Sequence, residues 1–97
     1  MFYYVYMIKV INHKVKKTYV GYTNNILNRL EKHNSNKGAK STKGYKWLLI
    51  YSKKFITKSD AMSYEYKLKN DKTKRNQILN KYNIKNDIDL INLKKEQ

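Results

Sequence analysis

Phe2-Tyr3-Tyr4-Val5-Tyr6-Met7-Ile8-Lys9-Val10-Ile11, a turn at Asn12-His13-Lys14, and the return from Val15 to Tyr22 form the stretch on which the fold depends. In the outward arm both alternating faces are apolar, with Tyr4, Tyr6 and Ile8 on one and Tyr3, Val5 and Met7 on the other. That is the pattern of a strand covered on both sides. The return arm is interrupted only by Lys16 and Lys17, so the two arms read as a hairpin. With Asn12 and His13 as the two loop residues, Tyr6 is expected opposite Tyr19; a slip of one residue would turn Tyr19 to the other face.

Beyond the hairpin, Thr23-Asn24-Asn25 offers side-chain oxygens to cap a helix from about Ile26 to His33, with Ile26, Leu27 and Leu30 as its buried stripe. Arg29 and His33 are four apart and share a face beside that stripe. Residues 34–46 form a Ser/Asn/Gly loop carrying Lys37, Lys40, Lys43 and Lys46 and no acid, expected to be mobile and strongly positive. Trp47-Leu48-Leu49-Ile50-Tyr51 is fully apolar and reads as the central strand. Thr57-Lys58-Ser59-Asp60 resembles a capping box and opens a helix to about Asn70. On a helical wheel Ala61, Tyr64 and Leu68 line its apolar face, and Glu65 falls between Ala61 and Leu68, aimed at the core. A short helix from Lys74 to Tyr82 docks through Ile78, Leu79 and Tyr82. The organisation expected is one domain over residues 1–83 and a tail over 84–97, in which Asp87 to Leu93 reads equally as an extra turn, an edge strand or a partner contact.

Composition narrows the function. Ninety-seven residues at 40% hydrophobic content suit a single compact domain, able to bury somewhat more than ~60% of its unfolded surface. The absence of cysteine excludes disulfides, thiolate zinc sites and cysteine nucleophiles, and makes an intracellular, cytoplasmic setting the default. The apolar N-terminus meets Lys9 far short of the ~20 residues needed to span a bilayer, and no signal-peptide pattern surrounds it, so no membrane partner is expected. Net charge is +15, and up to residue 59 thirteen Lys or Arg face a single acid, Glu31. Such a field concentrates polyanions and makes their binding salt-dependent. Lysine supply from an AT-rich genome is the plain alternative, but codon bias would not by itself exclude acids from the front of the chain.

The seven acids are Glu31, Asp60, Glu65, Asp71, Asp87, Asp89 and Glu96, and only Glu65 lies on an apolar helix face. A two-metal nuclease needs several converging carboxylates. Metal-dependent chemistry would therefore rest on one carboxylate, with phosphate and waters completing an octahedral magnesium shell. Alternatively, Glu65 forms a buried pair with a base such as Arg29. Glu65-Tyr66-Lys67 matches an E-x-K fragment of another nuclease class, but on a helix where that motif wants a strand. Two histidines, His13 and His33, are too few for a histidine-metal site. Tyrosine is the plentiful water activator, ten in all, since a phenol with an ordinary pKa of ~10 becomes a usable base beside cations. Packing explains most of these rings; Tyr6 and Tyr19, on adjacent strands leading to the Arg29/His33 helix, stand apart.

Tyr4-Val5-Tyr6, then Tyr19-Val20-Gly21, then Arg29 with His33, then Glu65 on a later helix resembles the GIY-YIG endonuclease family over roughly residues 2–80. Lys37-Gly38-Ala39-Lys40-Ser41-Thr42 resembles a stretch in its small one-domain members and in the catalytic module of a nuclease that cuts branched DNA. The resemblance implies an α/β sandwich, a three-stranded antiparallel β-sheet flanked by helices in the order β-β-α-β-α-α, that cleaves a DNA phosphodiester with one divalent ion, Mg2+ or Mn2+. Carried over, Tyr19 is the leading base for the attacking water, Tyr6 holds that water or the phosphate, and the two can exchange roles. Arg29 stabilises charge on the phosphate, His33 orients a tyrosine or relays its proton, and Glu65 binds the metal, with Lys37, Lys40, Lys43 and Lys46 as DNA contacts. Tyr4 stands where the family has glycine, and the asparagine many members carry after the carboxylate has two candidates, Asn76 and Asn80. Without an appended zinc or sequence-reading module, recognition of DNA shape is expected over site-specific cutting, or dependence on a protein scaffold through the apolar tail around Leu90 to Leu93. A basic binding domain with a purely structural Glu65 is the competing function.

Overall fold

The computed structural model describes the backbone of residues 1–95 and the side chains of residues 1–88. Strands β1 (Tyr3–Val10) and β2 (Thr18–Thr23) are followed by α1 (Ile26–Asn34), β3 (Trp47–Phe55), α2 (Lys58–Lys69) and α3 (Lys72–Lys95), with one 3-10 turn at Lys40–Thr42. The three strands pair antiparallel in the order β2-β1-β3. This is the expected α/β architecture in the expected order.

β1 is the central strand, correcting the expectation for Trp47–Tyr51, which lies on an edge. The cause is visible in the burial: β1 hides consecutive residues Val5, Met7 and Ile8 together with Tyr6, whereas β3 leaves Leu48 exposed. A run that is apolar on both pleat faces needs cover on both, and β1 has it from α1 on one side and from α2 and α3 on the other. Below the sheet Val5 and Met7 pack with Val20, Ala61, Leu68 and Ile78, the contribution of α2 and α3. Above it Tyr6, Ile8 and Val10 pack with Trp47, Tyr19 and Leu30, the last from α1.

The hairpin register also differs. Tyr6 lies opposite Gly21 and Ile8 opposite Tyr19, because the connection is longer than two residues, closing with Val10 N–H to Lys17 O at 3.1 Å and Val15 N–H to Asn12 O at 3.0 Å. The displacement is by two residues, so each side chain keeps its predicted face.

Helix signals act as read. Asn25 accepts from Asn28 N–H at 3.0 Å to start α1, and Thr57 accepts from Asp60 N–H at 3.1 Å to start α2. Within α1, however, Leu27 is 79% exposed and the fully buried residue is His33. Ile26 and Leu30 are half-buried, and the inward stripe continues to His33 at helical spacing, leaving Leu27 on the solvent side. At the α2–α3 junction Asp71 accepts from Lys74 N–H at 2.9 Å, and Arg75 donates to Leu68 O at 2.9 Å. Instead of a short helix ending at Tyr82, α3 runs on through residue 95. The apolar handle at Leu90 to Leu93 lies outside the residues with described side chains. Among the described residues no helix is long and apolar enough to cross a membrane.

Candidate active site

The pleat of β1 sends Tyr6 to the α1 side of the sheet, and the two-residue register shift leaves Tyr19 of β2 on that side too, the ring centroids 6.4 Å apart. Tyr6 reaches across the neighbouring strand because Gly21 stands opposite it: a Cβ there would come within 2.5 Å of the Tyr6 hydroxyl. The last turn of α1 inserts His33 beside both rings, at 5.8 Å from Tyr6 and 5.0 Å from Tyr19. Arg29, one turn earlier on the same helix face, is partly exposed and lies 3.4 Å through Nε from the Tyr6 oxygen.

One assignment of the Tyr6, His33 and Thr42 protons satisfies the hydrogen bonds among them. Thr42 donates its hydroxyl to Ala39 O at 2.8 Å, so toward His33 Nδ1, 2.9 Å away, Thr42 Oγ1 is the acceptor and Nδ1 carries the proton. His33 Nε2 is then an acceptor, and the Tyr6 O–H donates to it at 2.8 Å. Arg29 Nε–H donates to the Tyr6 oxygen. The result is a one-way chain from guanidinium through phenol and imidazole to Thr42 and a backbone carbonyl. Trp47 anchors its far end by donating its indole N–H to Thr42 O at 2.9 Å.

Burial dominates the electrostatics. It pushes the Tyr6 phenol up to about 12, against the lowering pull of the Arg29 hydrogen bond and charge, while Tyr19 and Glu65 add to the rise. His33 is held below its ordinary range, by burial first and by the Arg29 charge second, so its imidazole is neutral at physiological pH. Arg29 is held more firmly protonated, chiefly by its bond to Tyr6, with Tyr19 adding to the effect.

Glu65 stands on α2, the helix whose Ala61 and Leu68 pack beneath the sheet. Its side chain is 17% exposed and its charge is felt at Tyr6, yet its direct partner is Lys69, with Nζ 3.1 Å from Oε1. Arg29, the partner considered from sequence, is committed to the phenols instead. Lys69 Nζ also lies 5.9 Å from the centroid of the Tyr19 ring. Among the described residues no group of three or more His, Cys, Asp or Glu side chains forms a metal cage. A single hard carboxylate such as Glu65 would suit a magnesium-type ion whose remaining positions were taken by water and phosphate oxygens.

The basic loop is pinned, contrary to the expected mobility. Asn34 pairs with Trp47 through both its amide atoms, Asn36 accepts from Gly44 N–H at 2.9 Å, and Thr42 is fully buried. Lys37, Lys40 and Lys43 are exposed around it; Lys46 is also exposed but donates to Asn34 O at 2.7 Å, closing the loop. Two residues of this stretch have roles that sequence reasoning missed. Thr42 holds the histidine tautomer, and Gly38 lies so close to the His33 ring that a Cβ would collide with Nδ1. Their one signal was the family-like Lys37–Thr42 stretch itself, which carries no mark of either role. Asn80 faces a different groove, with Lys9, Lys16 and Lys17, and Asn76 is exposed on α3; neither has a hydrogen bond to the tyrosines, Arg29 or Glu65.

Comparison with known proteins finds relatives over most of the chain. The model of the GIY-YIG catalytic domain matches residues 2–83. A UPF0213 protein of Pediococcus pentosaceus is 41% identical over 93 residues, 95% of this chain and 92% of its own. A second, from Oceanobacillus iheyensis, is 45% identical over 67 residues, 68% of this chain and 74% of its own. The solution NMR structure of a UPF0213 protein from Bacillus halodurans is 34% identical, covers 82% of this chain and 84% of that one, and superposes with a TM-score of 0.49.

Proposed function

The chain belongs to the GIY-YIG catalytic-domain family, a nuclease family generally dependent on a divalent metal, and from that premise we propose that it hydrolyses single phosphodiester bonds in DNA. The observation that carries the reading is the directional Arg29–Tyr6–His33–Thr42 chain beside Tyr19 and Glu65. A phenol held near 12 is a poor free base at neutral pH, so Tyr6 works as a relay: its oxygen takes a proton from the attacking water as its own proton passes to His33 Nε2. Thr42 keeps Nδ1 protonated throughout, and the imidazolium so formed lasts only until the proton is released. This gives Tyr6 the part that the resemblance favours for Tyr19, and Tyr19 the part of orienting water or phosphate, an exchange that the resemblance allows. Arg29, already aimed at Tyr6, places its charge where negative charge grows on the phosphate. Bound Mg2+, or Mn2+ in its place, would be held by Glu65 and would supply stabilisation of the leaving oxygen.

The excess of lysine ahead of Glu65 and the pinned Lys37–Lys43 loop support a DNA substrate recognised by shape and backbone, in an intracellular setting. Ile84 and Ile88, exposed on α3, favour a variant of this reading in which a partner scaffold raises activity. A panel of labelled linear, flap, junction and single-stranded DNAs with Mg2+ tests the proposal. Branched substrates are expected to be nicked, and Glu65→Ala and Tyr6→Phe to abolish nicking while salt-sensitive binding remains. If the native chain nicks nothing with metal present, alone or in complex, the hydrolase reading is lost and a basic binding domain remains.

A further inference from the structure

Beneath the sheet, on the side away from Tyr6 and His33, β3 and α3 enclose an open groove of about 780 Å3. Ile78 forms its floor and belongs to the apolar cluster of Val5 and Met7, so the groove is structurally separate from the tyrosine site. Its walls carry Lys74, Lys81 and Lys85 from α3 and the rings of Tyr51 and Tyr82; no carboxylate lines it among the described residues. All three lysines are exposed, and the spacing of seven and then four residues sets them along one flank of the helix. They span about 16 Å of helix, the axial length of about five nucleotides of one strand. Lys9 extends the cationic line over the Tyr82 ring, 5.6 Å from its centroid.

We propose that this groove is a second nucleic-acid contact, holding the backbone of a DNA arm or strand that does not enter the tyrosine site. Charge complementarity selects the occupant: aligned ammonium groups with no carboxylate among the described lining residues suit a chain of phosphates, and the two phenol rings give bases or sugars an aromatic surface. Two strand-binding surfaces on opposite faces of one sheet engage a branched molecule with both arms and a linear one with a single arm, which supplies shape selectivity without any base-reading module. The inference rests on the nuclease reading for its biological sense and not for its measurement.

The full chain is titrated in EDTA, where no cleavage occurs, with a fluorescein-labelled three-way DNA junction and with a linear duplex of equal length, over a range of salt. Lys74→Gln/Lys81→Gln/Lys85→Gln is compared with a charge-matched control, Lys14→Gln/Lys58→Gln/Lys67→Gln, both checked for an unchanged melting profile. The groove variant is expected to bind the junction about tenfold or more weakly and to show a log-log salt slope shallower by two to three units, approaching its own affinity for the duplex; in the control the slope should change by less than one unit. Equal effects in both variants, or none in the first, overturn the groove. Displacement of the junction from the native chain by polyglutamate as readily as by unlabelled DNA overturns the nucleic-acid assignment in favour of an acidic peptide. Because no metal is present, a native chain that cuts nothing leaves this readout intact, and a cutting chain with an idle groove fails only this inference.

Discussion

The two faces of β1 are built from alternate residues of the same eight-residue strand, yet they are opposite in kind. Toward α2 and α3, Val5 and Met7 meet Val20, Ala61, Leu68 and Ile78, an apolar contact whose stability comes from area removed from water. Toward α1, Tyr6 meets His33, Thr42 and Arg29, so a core position is given to a chain of hydrogen bonds that costs desolvation at every member. One face is wholly apolar, and the other joins the packing of Ile8, Val10 and Trp47 to a polar chain in which burial tunes a phenol and an imidazole. A polar network in a core is tolerated only when complete, and among the described residues no buried side-chain polar atom lacks a partner.

Substitutions on the two faces should therefore separate activity from stability. Arg29→Ala is expected to cut the cleavage rate by about 10²–10³ with little change in melting temperature, since the residue is partly exposed. Met7→Ala should do the reverse, costing about 2–5 kcal/mol of stability while the molecules still folded keep their specific activity. Denaturant midpoints and single-turnover rates measured together decide this; unfolding of Arg29→Ala would mean that Arg29 itself is structural.

Thr42→Val probes the link inside the polar face. It removes the acceptor for His33 Nδ1–H without changing shape, with an expected cost of about 1–3 kcal/mol, and it frees the imidazole to take the other tautomer, so cleavage should fall more than stability. Restoration by Thr42→Ser, and not by Val, identifies the hydroxyl as the cause.

Acid titration sharpens the same contrast. The folded pKa of His33 lies below its unfolded value of ~6.5, so the unfolded chain binds the extra proton first. Stability is complete above that value and is lost as pH falls toward the lowered folded pKa. Tyr6 acts in the opposite sense: its raised pKa leaves stability intact below ~10 and removes it as pH climbs toward about 12. His33→Gln should flatten the acid limb of a melting-temperature profile, and an unflattened limb would place the acid sensitivity elsewhere. The smallest effect belongs to the pinned loop: Lys40→Ala/Lys43→Ala should lower the salt slope of DNA binding by about one unit for each phosphate no longer neutralised. An unchanged slope removes the loop from the path of the DNA.

Element order, both helix caps, the doubly apolar first strand and the shared side of Tyr6, Arg29 and His33 were legible in the chain, because pleat period, helix period and capping chemistry are local properties. Which strand lies centrally was not, since an apolar run reports burial and not its neighbours; the doubly covered β1 held the clue and Trp47–Tyr51 drew attention from it. Hairpin register depended on a loop whose length the residues left open, and Leu27 was assigned inward because a hydrophobic residue next to a stripe carries no mark of its angle. The family pattern supplied roles, but the tautomer of His33 came from Thr42, nine residues away and silent in any local rule. Short-range periodicity thus determined what each segment is. The direction of the protons, the partner of Glu65 and the anchoring of the basic loop were decided only when distant segments met, because hydrogen bonds and ion pairs depend on angstrom-scale distances that no spacing along the chain encodes.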